Sequence, residues 1–291
     1  LDITRLGCPI LRILPKIYWK LVIKVYCKIV ASSREINEGL IKKIIKKIFS
    51  LLGYKILRIN NFNDRYNDFI AECSDDEKKD LEKTIKLSLT SRPNLWSIIQ
   101  SLKYISKNNI DGDIVECGVF NGGSLALIAK YSKKLSLKSK IIGFDTFEEG
   151  FSNATLSKND VTIKGQKYDF SSERVIKNFY PTVNAVKKNI QDFLHEMPSN
   201  LFLIKGDILD TLKENKNIPK QISFLRLDTD LYATTKFQLE VLYPKLVKGG
   251  VLHIDDYGFL PGARKAVDEY FKDEKIWLHR IDLSCRLLIK N

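Results

Sequence analysis

The chain has 291 residues, of which 44% are apolar and 10% aromatic, enough to bury one sizeable core. Its five cysteines form no Cys-x-x-Cys pair, which argues against a disulfide framework or a cysteine-rich zinc site and makes a reducing cytoplasm the expected compartment. The net charge of +13 is uneven: residues 1–60 contain 13 Lys and Arg against 3 Asp and Glu, and residues 61–291 contain 35 against 32. The near balance of the larger part argues against a nucleic-acid partner.

Residues 9–31 and 36–53 have the pattern of cationic amphipathic helices. In the first, lysines recur every four residues from Lys16 to Lys28, opposite an aliphatic face. No apolar run approaches the ~20 residues of a membrane-spanning helix, and the lysines interrupt any secretory signal. Residues 1–79 are therefore expected to form a basic helical extension. It is either a peripheral anchor on an anionic membrane or an element that packs on the rest of the protein or on a second copy.

From about residue 80, short apolar strands alternate with helices. The predicted strands cover residues 113–118, 140–144, 201–205, 222–227 and 249–254. The predicted helices lie near residues 80–106, 122–134, 172–195, 208–215, 232–247 and 261–273, and an antiparallel hairpin is expected over 276–290. This alternation predicts a doubly wound, mainly parallel α/β sheet in a domain of residues 80–291.

Acidic residues follow the carboxyl ends of these strands. They are Glu116, Asp145, Asp207, Asp228, Asp230, Asp255 and Asp256. In an open α/β sheet this edge is where ligands bind, whereas surface acids would be distributed without regard to the strand ends. The sequence therefore indicates a site at the carboxyl edge of the sheet.

The loop after the first predicted strand is rich in glycine, with Gly118, Gly122 and Gly123 ahead of a helix. Glycine lets a cofactor approach the backbone closely, and the helix start offers free N–H groups to a carboxylate or phosphate. The loop lacks the full Gly-x-Gly-x-x-Gly spacing, so a tight strand-to-helix turn is the alternative. Asp145, after the second strand, either accepts hydrogen bonds from ribose hydroxyls or caps a helix.

Two strand ends carry a denser acidic pattern, with Asp228 and Asp230 after the fourth strand and Asp255 and Asp256 after the fifth. Four carboxylates close together repel one another unless a cation or shared protons neutralise them. Hard oxygen ligands of this kind suit Mg²⁺, Ca²⁺ or Mn²⁺ rather than zinc. The alternative is that the acids are separate helix caps.

Three stretches together resemble the macrocin O-methyltransferase (TylF-like) family of sugar O-methyltransferases. They are DIVECGVFNGGS at residues 113–124, FDTFEEGF at 144–151, and the region 225–271, which begins LRLDTDLYATT. The resemblance extends over about residues 85–290. It implies a class I methyltransferase (Rossmann-like) fold, S-adenosylmethionine as cofactor, a requirement for Mg²⁺, and a sugar hydroxyl as acceptor.

The resemblance also implies residue roles and a homo-oligomeric state. Asp228, Asp255 and Asp256 would bind the metal, and Asp230, or alternatively Asp228, would be the general base. The residues expected to bind the cofactor are Glu116, Gly118, Val119, Gly123, Ser124, Asp145, Thr146, Ser172, Gly206, Asp207 and Ile208. The chemistry is coherent, because a metal ion lowers the pKa of a sugar hydroxyl and a carboxylate can then remove its proton.

Two other classes of function are compatible with parts of the pattern. A GT-A-like glycosyltransferase also binds a nucleotide-sugar through a metal at an Asp-x-Asp sequence such as Asp228-Thr229-Asp230, but it needs neither the glycine loop nor the Asp255-Asp256 pair. A non-catalytic binding protein on the same fold is the other alternative, which the intact set of acids disfavours.

Overall fold

A computed structural model describes residues 70–150, 155–161, 165–166 and 180–291 of the chain. Both predicted amphipathic helices of the N-terminal extension lie outside these ranges, as does Ser172. No helix within the described ranges is both long enough and apolar enough to cross a membrane.

The described residues build a seven-stranded sheet. Its strands are β1 (Asp113–Cys117), β2 (Ile141–Asp145), β3 (Leu201–Lys205), β4 (Ile222–Leu227), β5 (Leu246–Ile254), β6 (His279–Arg280) and β7 (Arg286–Ile289). They are ordered β3-β2-β1-β4-β5-β7-β6. The first five strands are parallel, and β7 is antiparallel to both β5 and β6. The predicted parallel sheet with a C-terminal antiparallel hairpin is confirmed.

Helices separate the parallel strands, as the alternating pattern predicts. The α-helices are α1 (Asp75–Thr84), α2 (Arg92–Lys107), α3 (Gly123–Lys134), α4 (Val183–Leu194), α5 (Ile208–Thr211), α6 (Tyr232–Leu242) and α7 (Pro261–Tyr270). Short 3₁₀ turns follow several of them, at Ile85–Leu87, Asn215–Asn217 and Tyr243–Lys245. Of the predicted helix over 172–195, the described part contains α4, which begins at Val183 because Thr182 accepts a hydrogen bond from the backbone N–H of Ala185 and caps it there.

The two faces of the sheet carry separate cores, because successive strand residues point to opposite sides. On one face, Ile114, Phe224 and Val251 pack with apolar residues of α2 and α3. On the other face, Val115 and Leu225 pack with residues of α6 and α7. The result is a three-layer helix–sheet–helix arrangement that aligns the carboxyl ends of β1, β2, β4 and β5 along one edge.

Helix α1 belongs to the first of these cores. A capping box between Ser74 and Glu77 starts the helix, and Leu81 is buried among residues of α2 and α3. Asp80, also buried, pairs with Lys130 of α3. The predicted boundary between residues 79 and 80 therefore falls inside α1, and we propose that the sheet domain begins ahead of this helix.

Candidate active site

A cavity of about 460 Å³ opens at the carboxyl edge of the parallel strands. Eight of the residues predicted to bind the cofactor line it: Gly118, Val119, Ser124, Asp145, Thr146, Gly206, Asp207 and Ile208. The four acids predicted to bind metal or remove a proton also line it: Asp228, Asp230, Asp255 and Asp256. One cavity thus brings together the glycine loop of β1 and the acidic ends of β4 and β5.

Two predicted cofactor residues lie behind the cavity wall. Glu116 is fully buried in β1 and is bound to Arg226. Gly123 lets the start of α3 pack against the end of α1, since a Cβ atom there would lie 2.9 Å from the carbonyl oxygen of Thr84. Neither residue is among those lining the cavity within the described part of the chain. In this structure both residues therefore support the wall of the cavity from behind and do not face its interior.

The glycine at position 118 is required by the close approach of β1 to β4. Its φ is +91°, a conformation that strains other residues, and an added Cβ would lie 1.8 Å from the carbonyl oxygen of Asp228. The N–H of Asp228 donates to the carbonyl of Cys117 at 2.9 Å. Gly118 therefore fixes the distance between the glycine loop after β1 and the first acid of the cluster.

Asp145 holds the loops on either side of it. Its Oδ2 accepts the N–H groups of Val119 at 2.7 Å and Phe120 at 2.9 Å, and its Oδ1 accepts the N–H of Phe147 at 2.6 Å. Phe120 and Phe147 both have positive φ, 48° and 53°, so the carboxylate stabilises two residues in an uncommon conformation. A carboxylate oxygen can accept a second hydrogen bond. The contact with ribose hydroxyls therefore stays a prediction.

The acids after β4 and β5 form a compact cluster. Asp228, Asp255 and Asp256 each offer a carboxylate oxygen within 4.8 Å of the others. Three carboxylate oxygens this close together are a donor set that would hold one hard divalent cation such as Mg²⁺. Burial and neighbouring carboxylates raise the pKa of Asp255 to about 7 and that of Asp256 well above its usual range. The cluster thus has the donor set and the excess of negative charge that a hard divalent cation would satisfy.

Asp230 lies beside this cluster in a left-handed conformation, with φ of 63°. Its N–H donates to Oδ2 of Asp256 at 3.2 Å. Burial, followed by the negative charge of Asp228, raises the pKa of Asp230 to about 8. A carboxylate whose pKa lies near neutrality is suited to accept a proton from a reacting hydroxyl.

Arg226 is the central residue that the sequence patterns did not single out. Its side chain is fully buried, and its Nη1 donates to Oε1 of Glu116 at 2.9 Å and to Oδ2 of Asp228 at 2.6 Å. Its Nη2 donates to Oδ2 of Asp255 and to Oγ1 of Thr90, both at 3.1 Å. The available signal is a single arginine in an apolar strand two residues before Asp228, a spacing that puts both side chains on one face.

Residues at the start of α2 contact the acid after β5 and the hairpin loop. Asn94 donates through its side-chain amide to Asp255, and Ser91, the N-cap of α2, donates to Asp282 in the hairpin loop. His253, deeper in β5, contacts Ser97 of the same helix at 3.0 Å. Burial and the charge of Arg226 lower the pKa of His253 to about 3, which keeps it neutral. It is a structural histidine.

Comparison with known proteins shows which family the sequence resembles. The macrocin-O-methyltransferase (TylF) family model matches residues 43–288. Demethyldecarbamoylnovobiocin O-methyltransferase of Streptomyces niveus is 29% identical over 60% of this chain and 64% of its own length. Mycinamicin III 3''-O-methyltransferase of Micromonospora griseorubida is 24% identical over 64% of this chain and 71% of its own.

The fold is shared with a solved relative. The structure of the O-methyltransferase NovP superposes with a TM-score of 0.59 at 24% identity, over 70% of this chain and 82% of that one. The chain spans slightly less than two thirds of the length of the Streptomyces niveus enzyme. The match of the family model over most of the sequence nevertheless places it: the chain belongs to the macrocin-O-methyltransferase (TylF) family.

Proposed function

We propose that the protein transfers the methyl group of S-adenosylmethionine to a hydroxyl of a sugar-containing acceptor, with the assistance of Mg²⁺. The observation that carries the proposal is the single cavity that joins the glycine loop of β1 to the acids after β4 and β5. Family membership supports methyl transfer and gives no support to the glycosyltransferase alternative. The two relatives are named as O-methyltransferases of demethyldecarbamoylnovobiocin and of mycinamicin III, which supports a hydroxyl acceptor, and the family resemblance adds that the hydroxyl belongs to a sugar.

The cofactor would occupy the β1–β2–β3 side of the cavity. Gly118 and Val119 present backbone there, and Ser124 lies at the start of α3, whose free N–H groups favour a carboxylate. Asp145 keeps this loop in place and Asp207 lies near the end of β3. We predict that Ser172, outside the described residues, adds a further contact.

The acceptor would lie between the cofactor and the acids. Asp228, Asp255 and Asp256 would hold Mg²⁺, which when bound polarises a hydroxyl oxygen and lowers its pKa. Asp230 is the preferred general base because its carboxylate faces the same cavity and its pKa is raised to about 8, with Asp228 as the alternative. The residues that line the cavity would hold the hydroxyl in line with the methyl group.

A methyl-transfer assay tests this function. Purified protein is incubated with isotope-labelled S-adenosylmethionine and a panel of glycosides, with Mg²⁺ or with EDTA, and products are identified by mass spectrometry. We expect a mass increase of one methyl group on a sugar, lost with EDTA. In Asp255→Ala and Asp256→Ala, activity should be lost while S-adenosylmethionine still binds. Loss of cofactor binding in both variants would contradict this division of roles.

For the N-terminal extension we retain two predictions, peripheral contact of residues 9–53 with an anionic membrane and assembly of the chain into a homo-oligomer. Cosedimentation of the full chain with vesicles of anionic or neutral lipid separates them, together with the molar mass in solution. Binding only to anionic vesicles supports the membrane prediction, since lysine clusters are attracted to anionic headgroups. A stable oligomer that does not sediment with vesicles supports the assembly prediction.

A further inference from the structure

We propose that Arg226 is the positioning residue of the metal site, and that its guanidinium fixes the carboxylates of Asp228 and Asp255 in the orientation that a divalent cation needs. The proposal rests on the metal site of the proposed function. It assigns a role to a residue that contacts the predicted metal ligands and is absent from the residues lining the cavity.

The register of the sheet places Arg226 beneath the cluster. Glu116 of β1, Arg226 of β4 and His253 of β5 are direct neighbours across the three central strands. Asp228 and Asp255 come two residues later, just past the ends of β4 and β5, and so lie on the same face, one row nearer the cavity. A side chain rising from the middle of this row can contact both acids.

The shape of the guanidinium matters as much as its charge. Nη1 bonds Oδ2 of Asp228 and Nη2 bonds Oδ2 of Asp255, so the two nitrogens of one rigid plane hold two different carboxylates. A lysine carries its charge on one nitrogen at the end of a flexible chain and cannot reproduce this fork. Arg226 therefore fixes the position of each acid relative to the other.

The remaining contacts of Arg226 hold the guanidinium itself. Glu116, fully buried, binds Nη1 from the side of β1, and Thr90 binds Nη2 from the start of α2. Asn94 secures the second oxygen of Asp255. Groups that orient metal ligands from behind in this way commonly change metal affinity by about 10- to 100-fold when they are altered.

Positioning and simple charge compensation predict opposite results. If Arg226 only neutralised the acids, its removal would leave the cluster more negative and a divalent cation would bind more tightly. If Arg226 positions the ligands, its removal releases Asp228 and Asp255 from their shared plane and the cation binds more weakly. The sign of the change in metal affinity therefore distinguishes the two roles.

The test measures Mn²⁺ binding to the full chain by electron paramagnetic resonance, in the absence of acceptor. We expect Arg226→Lys and Arg226→Gln to bind Mn²⁺ at least about tenfold more weakly than wild type. Thr90→Val keeps the arginine and removes one of its supports, so it should weaken binding by a smaller factor and serves if the arginine variants fail to fold. The matched control is Lys130→Met on α3. It also leaves a buried carboxylate, that of Asp80, without its basic partner, but this pair is not part of the acidic cluster. It should bind Mn²⁺ as wild type does.

Folding of each variant is checked by circular dichroism and thermal unfolding. Unchanged or tighter Mn²⁺ binding in the folded arginine variants, or in Thr90→Val if only that variant folds, would overturn the proposal. A wild-type chain that binds S-adenosylmethionine but not Mn²⁺ would overturn the metal site and this proposal together, while leaving methyl transfer intact. Equal weakening in Lys130→Met would also overturn it, because a general loss of stability would then explain the effect.

Discussion

Glu116 and Arg226 lie opposite each other in register on β1 and β4, both fully buried, with Nη1 of the arginine 2.9 Å from Oε1 of the glutamate. This ion pair connects the strand that carries the glycine loop to the strand that carries the acids. A buried charge is stable only when it is paired and hydrogen-bonded. The pair therefore joins the two halves of the site, although Glu116 itself does not line the cavity.

Removing Glu116 should accordingly affect stability. Glu116→Ala leaves Arg226 without the one fully buried member of its three carboxylate partners, and we expect it to lower the free energy of unfolding by roughly 3 kcal/mol. Glu116→Gln keeps an oxygen acceptor and should cost about 1 kcal/mol. Urea denaturation monitored by circular dichroism measures both. Equal stability of the alanine variant and wild type would contradict a structural role for the pair.

The metal-free protein should lose stability as the pH rises from about 6.5 to about 8. Burial raises the pKa of Glu116 and Asp255 to about 7 and of Asp230 to about 8. The unfolded chain has already released these protons, so the folded state binds more protons and its stability falls until they are lost, by roughly 1–3 kcal/mol. His253 opposes this trend only weakly, because an unfolded histidine is already half neutral at about pH 6.5 and loses the rest of its proton early in this interval.

Thermal unfolding in EDTA at several pH values measures this dependence. Asp230→Asn removes one of the titrating groups and should flatten the curve. Added Mg²⁺ should stabilise the protein more at pH 8 than at pH 6.5, since it binds the ionised carboxylates. Stability that rises over this interval in EDTA would contradict the raised pKa values.

Gly118→Ala should disrupt the junction between β1 and β4. The new Cβ would lie 1.8 Å from a backbone oxygen of Asp228, so the strand ends must separate. We expect a loss of several kcal/mol in unfolding free energy and of S-adenosylmethionine binding. Gly165→Ala is the matched control, because that glycine also has positive φ, +77°, but among the described residues no atom lies within 4 Å of where its Cβ would be. It should cost only about 1 kcal/mol and leave binding unchanged.

Asp145→Ala and Asp145→Asn separate the two functions of this acid. Alanine leaves the three backbone N–H groups held by Asp145 without their acceptor and should lower stability by about 1–3 kcal/mol. Asparagine keeps one acceptor oxygen and should be milder. If Asp145 also binds the ribose hydroxyls, both variants should weaken the binding of S-adenosylmethionine more than that of methionine, which lacks a ribose. A parallel loss for both ligands would indicate that Asp145 only supports the loop.

Asp230→Asn should slow the chemical step and leave ligand binding intact. Removal of a general base typically reduces the rate by about 10²- to 10⁴-fold, and Asp230 is not one of the three clustered acids predicted to bind the metal. Single-turnover methyl transfer gives the rate, and calorimetry gives the affinities for S-adenosylmethionine and Mn²⁺. A near-normal rate would transfer the role of base to Asp228.

The sequence pattern was sufficient to predict how the acids meet. Parallel strands align their carboxyl ends, so acids after β4 and β5 had to lie at one edge whatever the detailed register. The buried position of Glu116, by contrast, depends on which residue of β4 stands beside it. That register depends on how the whole strands pack in the folded protein, so the neighbour of Glu116 on β4 could not be predicted from the sequence pattern alone.

The contacts of Asp145 and of α1 could not be predicted from the sequence for a related reason, since both form only in the folded chain. The loop around Phe120 turns back onto Asp145 only in the folded chain, 25 residues away in sequence. Helix α1 follows a basic segment and is rich in charge, yet it buries Leu81 and Asp80 against α3. Tertiary pairing of those charges overrides what local composition suggests.

The most direct test of the central claim is titration calorimetry of the purified chain with S-adenosylmethionine and, separately, with UDP-glucose, each with Mg²⁺ and then with EDTA. The account predicts that S-adenosylmethionine binds in both conditions, because its side of the cavity is formed by the glycine loop and not by the acids after β4 and β5 that would bind the metal. It predicts no binding of UDP-glucose. Metal-dependent binding of UDP-glucose without binding of S-adenosylmethionine would contradict a methyltransferase and favour a glycosyltransferase.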